Sequence, residues 1–292
     1  MKKWLCLLLV FLLTPLCAPA EDLPAYTVKD RKRHTTYDSE TLKYTIDKCR
    51  IVTRENDKTK SATCFVTRVW MQDPARQIKK AISPWHKEIW KAENIAKQIP
   101  GLALAINGSG YVSERYPEIP DYYPGTSADY YCTPLGSLTV VDGEVYRNLE
   151  GIPYYGLTLE KDGLHLYTGE DNETVLANEP IQTWSFYEKC PMALDGRDIL
   201  DHDWAFARRR ALRTVICKLK EENTYVILTT DTGGLTLLEA NAFFLNEYDV
   251  DWVYDLDGGP SSALMRRLKG KKTLKQIHEA KQRIVDVMGF IE

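Results

Sequence analysis

Apolar and polar residues alternate from Lys43 to Val52 and again from Ala62 to Met71, the period-2 signature of two half-buried strands turning near Asn56-Asp57. The segment before them, Glu21 to Ser39, is polar and charged and reads as a flexible lead-in. Ile89, Trp90, Ile95 and Ala96 fall at helical spacing within Trp85 to Gln98, and Pro100-Gly101 stops that helix. Leu102 to Ile106 is wholly apolar, as a buried central strand should be, and it opens into Asn107-Gly108-Ser109-Gly110. From Tyr111 to Asp129 no period is visible, which predicts a long surface loop. Two hairpins follow, one turning at Asp142-Gly143 and the other at Asp162-Gly163. Ala211 to Leu219 and Thr224 to Thr230 read as a further strand pair. Leu235 to Asn246 reads as an amphipathic helix and Val250 to Leu256 as a strand. A helix is expected to begin at Ser261, and a last one over Thr273 to Met288 carries Leu274, Ile277, Ile284, Val285 and Met288. No linker divides this pattern. It predicts an α+β fold, a single domain with a mixed β-sheet, several hairpins and flanking helices.

The first twenty residues stand apart. Lys2-Lys3, the apolar run Trp4 to Leu13 and Ala18-Pro19-Ala20 read as a secretory signal peptide, too short to span a bilayer. The expected organisation is a signal at 1–20, a lead-in at 21–45 and one domain at 46–292. Cleavage places the mature protein outside the cytoplasm: secreted, extracellular or in the cell envelope, the periplasm in a two-membrane bacterium, with no membrane insertion afterwards. Removing two lysines changes the charge from −3 to −5, against a nucleic-acid partner. Five cysteines remain, and export permits disulfides. Cys49 and Cys64 flank the first hairpin tip and are expected to pair, Cys132 with Cys190 is a second pairing, and Cys217 is expected as a buried thiol.

Three segments could carry chemistry. In Asp255-Leu256-Asp257-Gly258-Gly259-Pro260-Ser261-Ser262 a strand delivers two carboxylates, then glycines that let a ligand approach, then hydroxyls where a helix should start. Free amides at such a start attract phosphate; the plainer reading is a tight turn with a serine N-cap. Asn107-Gly108 repeats the design at another strand end. Arg213 interrupts an apolar strand, which requires an anionic partner, either a ligand or a structural carboxylate. The five histidines lack metal-site spacing, so neither metal nor cofactor is expected. Gly259-Pro260-Ser261-Ser262-Ala263 comes close to a serine nucleophile elbow, but only His278 follows it.

Together with Gly234-Leu235-Thr236-Leu237 and Glu239, these segments resemble, in order, the phosphodiester glycosidase family over roughly Ser61 to Arg267. The resemblance implies hydrolysis of the sugar C1–O bond of an N-acetylglucosamine-1-phosphodiester-like glycan, the expected partner. It implies Asp257 as the catalytic carboxylate, with Asp255 as a second one. Arg213 and the Gly258 to Ser262 amides, with the Ser261 and Ser262 hydroxyls, would hold phosphate. Asn107, Gly108 and Thr236 would complete the substrate site. The chain departs from the family pattern at Asp255 (usually Asn), Pro260 (usually Gly), Ala211-Leu212 (often His-Pro) and Cys217 (commonly Gly). Those changes also fit a rival, a catalytically silent glycan-binding or exopolysaccharide and envelope-assembly protein on the same fold.

Overall fold

Residues 23–55, 58–114, 130–268 and 273–292 are described by a computed structural model of the chain. The signal segment, the Asn56-Asp57 turn and most of the Tyr111 to Asp129 loop lie outside them. The strands, in chain order, are β1 (Tyr26–Asp38), β2 (Leu42–Glu55), β3 (Lys58–Met71), β4 (Ile78–Ile82), β5 (Leu102–Asn107) and β6 (Leu138–Val141). Next come β7 (Glu144–Asn148), β8 (Tyr154–Glu160), β9 (Gly163–Glu170), β10 (Gln182–Ser185), β11 (Pro191–Leu194) and β12 (Arg197–Asp198). The last six are β13 (Thr214–Leu219), β14 (Thr224–Thr232), β15 (Val250–Asp255), β16 (Leu264–Arg267), β17 (Leu274–His278) and β18 (Asp286–Ile291).

They form three sheets: an eight-stranded one ordered β1-β2-β3-β14-β13-β15-β11-β12, and five-stranded ones ordered β7-β6-β10-β8-β9 and β17-β16-β5-β18-β4. The pairings between these strands are all antiparallel, so the expected mixed sheet is corrected and the protein is mostly β. One core fills the space where the sheets meet, with Tyr44, Ile216 and Tyr254 from the large sheet, Ile106 and Met288 from β5 and β18, and Leu157 and Trp184 from the third sheet. A second core seats the Leu237–Glu247 helix, through Phe243 and Phe244, on the other face of the large sheet. Burying each phenylalanine contributes about 1.5–3 kcal/mol.

Both Asp-Gly hairpins form as expected, β6 with β7 and β8 with β9. Other expectations fail for identifiable reasons. Glu21 to Ser39 is no flexible lead-in where it is described: β1 runs through it as an edge strand, polar because so much of it faces water. Thr273 to Met288 is two strands, β17 and β18, instead of a helix, since its apolar residues occur in short runs that either element could use. Of Trp85 to Gln98 only Ala92–Ala96 is helical. Cys49 and Cys64 stand opposite each other across β2 and β3, yet they, Cys132, Cys190 and Cys217 are all buried free thiols, so neither expected disulfide is present.

Candidate active site

Register brings the three segments together. Asp255 pairs with Val215 across β15 and β13, which places Arg213, two residues before Val215, on the same face of the sheet as Asp255. Val287 pairs with Asn107 across β18 and β5, and Leu264 pairs with Ile106 across β16 and β5. Five chain segments therefore end at one place.

Asn107 is the knot. Its amide nitrogen donates to the Asp257 carbonyl at 2.6 Å, and its amide oxygen accepts from the Thr214 hydroxyl at 2.8 Å and the Ala263 N–H at 2.9 Å. At 1% exposure that amide is a tether between elements, in place of the sugar contact expected from the resemblance. Asp257 is held a second time by its own N–H, which donates to the Gly108 carbonyl at 3.0 Å.

Asp257 reaches solvent while Asp255 does not. Enclosure by protein pushes the Asp257 carboxyl up to about 7; the Ser261 hydroxyl and Gly258 N–H oppose this, and Asp255 and Asp286 add to it. Burial likewise raises Asp255 to about 7 against the pull of Arg213. The Arg213 Nη1 lies 3.5 Å from Asp255 Oδ2, while Asp255 Oδ1 is buried without a hydrogen-bond partner.

Arg213 is fully buried and turned inward. It donates from Nε to the Leu235 carbonyl at 3.2 Å, and from Nη2 to the Phe206 and Arg209 carbonyls at 3.1 and 2.6 Å. Its guanidinium lies 4.6 Å from the Phe206 ring centroid. Its charge is thus turned to Asp255 and to backbone carbonyls, away from solvent, where the resemblance implies a phosphate contact. Arg209, which is exposed, is the neighbouring cation that faces solvent, and its charge reaches Tyr187, as do those of Asp257 and Asp255. Tyr187, Trp204 and Phe206 form a partly exposed aromatic group there, with ring centroids 4.8–5.9 Å apart. Arg209 stands in the run Arg208-Arg209-Arg210, and Tyr187, which comes within range of the Asp257 charge through tertiary packing, belongs to no motif.

The expected amide cradle is also corrected. No α-helix starts at Ser261; a single 3₁₀ turn spans Gly259–Ser261 and β16 follows. Its amides are engaged inside the chain. Gly258 N–H bonds the Asp257 carboxylate, Gly259 donates to Leu212 at 2.8 Å, Ser261 to Gly258 at 3.1 Å and Ser262 to Gly259 at 3.3 Å. Gly258 is needed for proximity, since a Cβ there would lie 2.7 Å from the Leu212 carbonyl oxygen. Ser261 Oγ accepts from Gln282 Nε2 at 2.6 Å, and Ser262 Oγ is buried without a partner. His278 sits on β17 with its Nδ1 3.0 Å from Asp231, and no hydrogen bond joins it to either serine, so the arrangement gives no support to a serine nucleophile. Thr236 is the N-cap of the Leu237–Glu247 helix and accepts from Glu239 N–H at 3.1 Å, a capping role in place of the expected substrate contact. Among the described residues, the side chains spaced as metal ligands are Glu160, Asp162 and His165, on the β8–β9 hairpin.

Asp257 is thus presented at a strand tip, between two glycine-containing turns of an antiparallel scaffold. The chain belongs to the phosphodiester glycosidase family, whose sequence profile matches residues 100–291. No curated protein matches the chain. Among solved structures it is similar to the catalytic domain of zebrafish N-acetylglucosamine-1-phosphodiester alpha-N-acetylglucosaminidase, auto-inhibited by its pro-peptide. That match has a TM-score of 0.64 and 19% identity, covering 91% of this chain and 88% of that one, and it shows a shared fold. A hypothetical protein from Synechocystis matches with a TM-score of 0.48 and 12% identity, over 91% of this chain and 68% of that one.

Proposed function

We propose that the protein is an exported glycosidase that hydrolyses the sugar C1–O bond of a glycan sugar-1-phosphodiester of the N-acetylglucosamine type. Water adds its hydroxyl to C1, the C1–O bond breaks, and the phosphodiester leaves as a phosphomonoester that keeps the bridging oxygen. Phosphate is a good leaving group, so the demand falls on a carboxylate that can act as nucleophile or base and steady positive charge at C1. The observation that carries this reading is Asp257: partly solvent-exposed, fixed through its backbone by Asn107 and Gly108, and titrating near 7. Near neutrality such a group both accepts and donates protons.

Asp255 lies behind it, buried against Arg213, and acts through its charge rather than by touching the sugar. Arg209, exposed and within charge range of Tyr187, is the cation this reading offers to the leaving phosphate. Tyr187, Trp204 and Phe206 offer ring faces and edges for a sugar to pack on. No cofactor enters this scheme.

The test is release of free sugar from an N-acetylglucosamine-1-phosphodiester by the purified mature protein and by its Asp257→Asn variant. The substitution should slow release by about 10²–10⁴-fold at unchanged folding. A folded wild-type protein that binds the compound and releases nothing would instead be a silent glycan binder.

A further inference from the structure

Under the Asn107 turn lies a buried ion pair to which the scheme above gives no part. Asp286, the first residue of β18, is fully buried and Lys80 on β4 nearly so; their charged atoms are 2.9 Å apart. Asp286 Oδ1 accepts the Ser109 N–H at 2.6 Å, and Oδ2 accepts the Ser109 hydroxyl at 2.8 Å. The Asp286 carbonyl accepts the Gly108 N–H at 3.2 Å. Lys80 also donates to the Thr183 carbonyl and lies 5.5 Å from the Trp184 ring centroid.

The fit on Gly108 is tight. A Cβ on that residue would fall 2.2 Å from Asp286 Oδ1 and 2.8 Å from Trp184 Cδ1. One face of the turn is therefore clamped by Asp286, while its other side holds Asp257 through the Gly108 carbonyl and the Asn107 amide. Stability alone is a weak reason for such a pair. The cost of removing two charges from water offsets most of their attraction, and a well-packed apolar pair often does as well. What an apolar pair cannot do is bond Ser109 twice and fix the turn in one place.

We propose that Asp286, paired with Lys80, is a positioning residue of the site, holding the Asn107–Gly110 turn against the backbone of Asp257. This rests on Asp257 being the reacting carboxylate. The charge of Asp286 also reaches Asp257 directly and favours its protonated form. The other titratable groups within range of Asp257 are Asp255, Tyr187 and Cys190.

The experiment uses the double variant Lys80→Met/Asp286→Asn, which removes both charges together and leaves an amide able to accept from Ser109; Asp286→Asn alone strands a buried lysine. Folding is checked by urea denaturation. Kinetics on an N-acetylglucosamine-1-phosphodiester should show kcat reduced about 10- to 100-fold with KM within about twofold, the mark of a displaced reacting group. Backbone ¹H–¹⁵N shifts should move at Gly108 and at Asp257, because the turn has lost its anchor and carries the Asp257 backbone with it. A folded double variant with wild-type kcat overturns the proposal. Should the wild-type protein release no sugar, the functional reading has failed, and the Asp257 amide shift alone decides the positioning role: moved supports it, unmoved overturns it.

Discussion

Arg213 and Arg209 lie four residues apart and do opposite things. Arg213 directs its nitrogens to three backbone carbonyls and Asp255, and its own side chain is buried. Arg213→Met leaves the Asp255 carboxyl buried and alone, so urea unfolding should show a loss of about 3–5 kcal/mol. Arg209→Gln alters an exposed side chain and should leave stability within about 0.5 kcal/mol. It should nonetheless weaken turnover of a sugar-1-phosphodiester several-fold, since hydrogen bonds to charged groups contribute about 1.5–3 kcal/mol. If the stability loss appears in Arg209→Gln and is absent in Arg213→Met, the division of roles is wrong. An apolar strand that contains an arginine announces that an anion is near. It does not say whether that anion is a ligand or a carboxylate on the next strand, and here the register of β13 with β15 decides.

The Leu237–Glu247 helix shows how an element can look like part of a site while serving the fold. Thr236 and Glu239 form a reciprocal capping box, and the Glu239 carboxylate also meets Arg210. Thr236→Ala should lower stability by about 1 kcal/mol and leave sugar release per folded molecule unchanged; a selective loss of turnover would return Thr236 to the substrate site. This helix was legible because its apolar positions keep a helical period between a cap and Glu247. So were β2, β3 and both Asp-Gly hairpins, where alternation and turn residues agree. The β17–β18 segment was not, because Leu274 and Ile277 belong to one strand and Val285 and Met288 to the approach and body of the next. The 3₁₀ turn at Gly259–Ser261 was misread for another reason. Hydroxyls after glycine suit a helix start, but the chain passes directly into β16. Asp257 stands out as a candidate from its own neighbours in sequence. Asp286, Lys80 and Tyr187 could not, because their link to it is made only when β18, β4 and the segment after β10 reach the same sheet ends.

Across the molecule, two carboxyls carried in raised-pKa surroundings make stability depend on pH. Asp255 and Asp257 titrate near 7 in the folded protein, above the roughly 3.9 of an unfolded aspartate. The folded state therefore binds more protons between those values. Their contribution is fully present below about pH 4 and is lost as pH rises toward 7, opposite in sign to that of Glu93, Asp162, Asp171 and Asp201, whose carboxyls are lowered. Urea midpoints for Asp255→Asn and the wild type should accordingly draw apart between pH 5 and pH 7.5, with the variant losing less on the alkaline side; parallel profiles would remove Asp255 from the account. Three antiparallel sheets meeting at one core bring the ends of β5, β13, β15 and β18 to a common point, and the proposed chemistry depends on that convergence. Which bond breaks there decides the reaction. Hydrolysis of an N-acetylglucosamine-1-phosphodiester in ¹⁸O-labelled water, followed by ³¹P NMR of the released phosphomonoester, measures it directly. Cleavage at C1–O predicts phosphate without label, all of the solvent oxygen having gone to the sugar; label on phosphorus would mean P–O cleavage and would contradict the account.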